Sequence, residues 1–108
     1  MDEKILMELV DGILEIMKNR VIGIILYGSA ARGTNTEESD VDVAILMQGN
    51  LDKETEGKLS EFIVDMNLEY DKVFSVIDID YEMFCKWQKI TPFYQNVMQE
   101  GVVLWTAA

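Results

Sequence analysis

Asp40 and Asp42 stand one residue apart in SDVDVAIL, an otherwise strongly apolar run, and a Gly28-Ser29 pair precedes them across a ten-residue polar loop. Alternation along a strand puts both carboxylates on one face, with Cα atoms roughly 6–7 Å apart. Like charges that close repel unless a positive charge lies between them. Asp is also disfavoured in strands, so two of them in such a run call for a reason. A divalent cation is the natural one. Oxygen-only ligands suit Mg²⁺ or Mn²⁺, which complete their shells with water and substrate phosphates. Gly28 permits a tight turn, and Ser29 opens a short helix whose free N–H groups and hydroxyl could hold an anion. On its own that pair is also an ordinary Ser cap after a Gly strand breaker. The pairing of an anion-type turn with metal-type carboxylates is more specific than either part.

Composition narrows the chemistry further. The chain has no histidine and one cysteine, Cys85. Histidine-based triads and thiolate zinc sites are therefore excluded, and only carboxylates, hydroxyls and hard cations remain. The lone Cys85 forms no internal disulfide, lacks a base partner and reads as inert. Nine basic residues face twenty acidic ones, for a net charge of −11. No window clusters the Lys and Arg that phosphate-backbone binding needs, so a long nucleic acid is not expected as a partner. A nucleotide is compatible, because metal ions and backbone N–H groups can meet its charge. No apolar run approaches the roughly 18 residues of a membrane span. The acidic, amphipathic start MDEKILMELV is not a secretory or transit signal, and a cytoplasmic location is expected. At 108 residues with 49% hydrophobic side chains, one domain over 1–108 is expected.

The elements that must position these residues follow from periodicity. Ile5, Leu6, Leu9, Val10, Ile13, Leu14 and Met17 mark an amphipathic helix over about 2–18, with Gly12 inside it. VIGIILY from Val21 to Tyr27 is a buried strand ended by Gly28, and Val41 to Met47 is a second. In that second strand Val41, Val43, Ile45 and Met47 share one face, while Asp40, Asp42, Ala44 and Leu46 share the other. After a turn at 48–50, Leu51 to about Leu68 reads as a helix striped by Leu59, Phe62, Ile63 and Met66. Val73 to Ile79 is a third strand, 81–88 a short helix, and Thr91-Pro92 the cap and first residue of another. Gly101 stops that helix before a closing strand, Val102 to Trp105. The methionines read as core fillers; Trp87 and Trp105 are expected to pack on the core, with exposure as a partner surface as the alternative. The fold class is α/β (α+β), a small mixed sheet covered by helices.

The string GSAARGTNTEESDVDVAIL resembles the Gly-Ser-x-Ala-Arg-Gly … Ser-Asp-x-Asp signature of the minimal nucleotidyltransferases, in the polymerase-beta-like superfamily. The motif covers about a fifth of the chain, and the element order, length and closing PFYQNVMQEGVVLW fit the same family. The resemblance implies that Gly28 and Ser29 hold the phosphates of an NTP and that Asp40 and Asp42 ligate Mg²⁺ or Mn²⁺. The reaction would transfer a nucleoside monophosphate, AMP for an ATP donor, and release pyrophosphate. Arg32 could contact a phosphate or bridge to Glu37 or Glu38 instead. Ser39 caps or braces the loop.

One feature departs from the family. Its members carry a third carboxylate on the strand after the middle helix, and the corresponding positions here, Val73 and Ser75, are not acidic. Asp71 and Asp78 are the nearest substitutes. Asp78 is taken as the catalytic stand-in, provided the strand twists or bulges enough to bring it round. Family members of this size often pair with a HEPN-type protein as an antitoxin, some by adding AMP to it. A HEPN-type protein partner is therefore the expectation, and homo-oligomer formation stays open. The missing acid favours an alternative, a weakly active or inactive nucleotide-binding module that neutralises a partner. Transfer to a small molecule such as an aminoglycoside is a third reading, and it would need an acceptor pocket.

Overall fold

The computed structural model describes residues 3–28 and 40–107. Helix α1 (Glu3–Met17) runs through a 3-10 turn at Lys18–Arg20 into β1 (Val21–Tyr27); β2 is Val41–Met47. Helix α2 (Lys53–Tyr70) leads to β3 (Phe74–Asp80), α3 (Tyr81–Trp87), α4 (Pro92–Glu100) and β4 (Val102–Thr106). The strands form one sheet in the order β3-β2-β1-β4. β1 lies antiparallel to both β2 and β4, and β2 lies parallel to β3, so the sheet is mixed as expected.

Strand alternation sorts the core into two layers. Ile24, Leu26, Val41, Val43, Ile45, Met47 and Phe74 point to the face covered by α1 and α2, where Leu9, Ile13 and Met66 meet them. Ile25, Ala44, Leu46 and Ile79 point the other way, onto Phe84 of α3 and Val97 of α4. Burying these side chains is the main stabilising term, at about 1.5–3 kcal/mol for each large one. Gly12 has a packing reason for its place in α1. A Cβ there would lie 2.0 Å from Phe62 Cζ, so the ring of α2 fills the space that glycine leaves.

Local chemistry sets the boundaries. The Asp52 carboxylate accepts from Thr55 N at 3.2 Å and caps α2, which therefore starts two residues after Leu51. Arg20 ion-pairs with Asp52 at 3.2 Å and also donates to the Asn50 carbonyl, tying the entry of β1 to that cap. Asp71, in the left-handed region with φ 51°, ends α2. The Asn67 side chain then accepts from Phe74 N at 2.8 Å and starts β3 one residue later than periodicity suggests. Asp80 caps α3 through Glu82 N at 3.2 Å.

Three expectations are corrected. Thr91 occupies the cap position of α4, but its side chain makes no capping bond. Met17, Met47 and Met66 are buried, whereas Met7, Met83 and Met98 lie on the surface. Trp105 packs against the first core layer, but Trp87 sits at the surface under the Lys86 ammonium, 5.3 Å from its ring centre. Neighbouring positions in sequence fix the helix, but only the packing decides which of its apolar residues find a partner. Among the described residues no helix is long and apolar enough to cross a membrane.

Candidate functional site

β1 and β2 run antiparallel at the centre of the sheet, so the end of β1 and the start of β2 meet at one end of it. There Tyr27 is the cross-strand partner of Asp42, and Gly28 follows with φ 74°. A Cβ on Gly28 would stand 2.5 Å from Asp42 Oδ2. The turn and the carboxylate, fourteen positions apart in sequence, are therefore in contact. Asp40, two residues before Asp42, shares its side of the strand by alternation. Ser29 and Arg32 lie outside the described residues.

The electrostatics agree with a crowded acidic pair. Partial burial, and then the charge of Asp40, push the Asp42 carboxyl above its ordinary value. Burial, and then the charge of Asp42, likewise raise the Tyr27 phenol. Among the described residues no Lys or Arg forms an ion pair with either carboxylate. The donor set is hard carboxylate oxygen, exposed at Asp40 and partly buried at Asp42, a chemistry that fits Mg²⁺ or Mn²⁺.

The parallel β2/β3 ladder identifies what stands beside the pair. It opens with Val41 N donating to Val73 O at 2.8 Å and then keeps register without a shift from Val41/Phe74 to Met47/Asp80. Ser75 is the partner of Asp42, and Asp78 is the partner of Ile45. Ile45 belongs to the face packed by α1 and α2, so Asp78 lies on the side of the sheet away from Asp42. The bulge that would have turned Asp78 toward the pair is absent from β3, and the structure does not bring Asp78 to the site. Asp71, in the turn after α2, does not join it either. Among the described residues no group of three or more acidic, Cys or His side chains comes together.

Sequence reasoning missed Tyr27 and Phe93. Tyr27 reads as the last residue of an apolar strand, and Phe93 as an ordinary helix residue. The structure sets their rings edge to face at 5.6 Å, and Tyr27 is the cross-strand partner of Asp42. Nothing local in sequence signals this, because the contact joins β1 to α4 across sixty-six positions.

With that geometry in place, comparison with known proteins is informative. A Methanocaldococcus jannaschii chain named "Putative protein adenylyltransferase MJ0604" is 36% identical over 109 residues, covering 96% of this chain and 98% of its own. A chain from the crystal structure of a toxin-antitoxin with AMP-PNP superposes with a TM-score of 0.64 at 22% identity, covering 99% of this chain and 75% of that one. A chain from the complex of a tri-AMPylated Shewanella oneidensis HEPN toxin with its MNT antitoxin gives 0.61 at 18% identity, covering 99% and 74%. At these identities the two structures speak for the fold. The family model for the nucleotidyltransferase domain matches residues 6–103, which include Gly28, both carboxylates, strands β1 to β3 and the start of β4, and the chain belongs to that family.

Proposed function

We propose that the chain transfers AMP from ATP to a hydroxyl of a protein acceptor, with a HEPN-type protein as the partner. The observation that carries this reading is the contact between the Gly28 turn and Asp42, which joins an anion-type turn to a metal-type carboxylate pair. The relative named as a protein adenylyltransferase and the fold shared with toxin-antitoxin chains support the donor and the acceptor class. Asp40 and Asp42 would hold a divalent cation, whose charge offsets that of the phosphates. Gly28, with no side chain, lets the backbone approach the phosphates closely. The acceptor oxygen attacks the α-phosphorus, the bond to the bridging oxygen breaks, pyrophosphate leaves, and the hydroxyl proton passes to a carboxylate or to water. Positioning and charge neutralisation supply most of the acceleration in such a step.

A second reading is a module that binds nucleotide and partner without transfer. Ser75 favours it, because the position beside Asp42 on β3 carries a hydroxyl and not a third acid. One experiment separates the two. The chain is incubated with α-labelled ATP, Mn²⁺ and a HEPN-type protein. Label on the protein that disappears in Asp42→Asn and survives Asp78→Asn supports transfer. In the same assay Ser75→Asp, which adds a carboxylate next to Asp42, should raise the labelling rate about tenfold or more. No label from either the native chain or Ser75→Asp, with nucleotide still bound, favours the module.

A further inference from the structure

We propose that the exposed ring of Phe93, braced by Tyr27, is the platform on which the nucleobase stacks, an inference that rests on the nucleotide reading above. Phe93 is the second residue of α4 and remains 40% exposed, although a ring of this size ordinarily buries itself. It is not loosely held. Its ring meets Tyr27 at 5.6 Å and 82°, and Tyr94 at 5.8 Å and 63°. Tyr94 in turn leans on Phe84 at 5.3 Å, and Phe84 is buried in the second core layer. A chain of rings thus runs from the core to the surface and ends in one exposed, pre-positioned aromatic side chain. The same chain touches the site, because Tyr27 is the cross-strand partner of Asp42.

Charge indicates which end of a nucleotide belongs there. Residues 81–108 carry Lys86 and Lys89 against Glu82 and Glu100, a balance of zero, so the whole net charge of −11 resides in residues 1–80. The neutral, aromatic lip suits the uncharged end of the ligand, and the phosphates suit the turn and the cation-binding pair. A base reaches the lip through its own ribose once its phosphates are held at Asp40 and Asp42. Stacking uses the π-face that every base has, so this platform should contribute affinity with little choice among bases.

The test compares a ligand with a base to one without. AMP-PNP and inorganic tripolyphosphate are titrated separately, each with Mn²⁺, into the native chain, Phe93→Ala and Phe93→Leu, with thermal melting to check folding. Phe93→Ala should weaken AMP-PNP about tenfold and leave tripolyphosphate within about twofold. Phe93→Leu, which keeps the bulk without the ring, should also lose affinity for AMP-PNP alone. Equal loss for both ligands, or no loss for either, overturns the platform. So does unchanged AMP-PNP affinity accompanied by a raised KM for the protein acceptor, which would make Phe93 an acceptor contact. If neither ligand binds the native chain, the nucleotide reading itself fails, and this inference falls with it.

Discussion

Replacing Asp40 and Asp42 together by Asn should abolish Mn²⁺-dependent AMP-PNP binding, a loss of at least about 100-fold, and yet make the ligand-free chain more stable. The two effects have one cause. Two carboxylates held on one side of a strand repel each other, and the carboxyl of Asp42 is already raised by burial and by the charge of Asp40. Neutral Asn side chains remove the repulsion and with it the affinity for a cation. A gain of about 0.5 kcal/mol, or about 2–4 °C in Tm, is expected for a pair with one exposed and one partly buried carboxylate. The pH dependence has a definite sign. A carboxyl with a folded-state pKa above its unfolded value destabilises the chain while ionised, and the penalty lifts as pH falls through the folded pKa. The advantage of the Asn variant should therefore be largest near neutral pH and shrink on acidification. Melting in the absence of metal at pH 7 and at acidic pH, alongside calorimetric titration, checks both halves. Unchanged nucleotide binding by the double variant would refute the site.

Gly28→Ala should lose nucleotide binding as severely, and Gly49→Ala should not. Both glycines have positive φ, 74° and 72°, so Ala costs about 1–2 kcal/mol of backbone strain at either position. They differ in what a side chain would meet. At Gly49 nothing lies within 4 Å, whereas at Gly28 the new Cβ would stand 2.5 Å from Asp42 Oδ2 and must push that carboxylate away. Both variants should melt several degrees lower, but only Gly28→Ala should bind AMP-PNP with Mn²⁺ poorly. Comparable nucleotide affinity in the two variants would mean that the turn supports the fold without contributing to the site.

Which residue stands beside the carboxylate pair depends on a strand register that no local pattern shows. That Asp40 and Asp42 share a face follows from alternation alone, since the side-chain period of a strand is two. The helices and strands were legible for the same kind of reason. Each apolar stripe repeats at its own period, and Pro92 marks a helix start through its fixed φ. The mixed sheet was legible only as a class, because periodicity does not say which strand lies beside which. Which third residue stands next to the pair was undecided between Val73 and Ser75, with Asp78 as a substitute. Asn67 pins the start of β3 by a bond that begins on α2, and the unbroken β2/β3 ladder then brings Ser75 to Asp42 and leaves Asp78 on the opposite face. The same holds for the aromatic lip. An apolar residue announces that it will be buried somewhere, but Tyr27 meets Phe93 only because α4 crosses the face of the sheet that carries Asp42. The sequence by itself determined that two carboxylates share one face of β2, through residue types and a period of two. The tertiary structure alone decided the neighbours of those carboxylates, because strand order, register and helix docking are set by contacts between residues far apart in the chain.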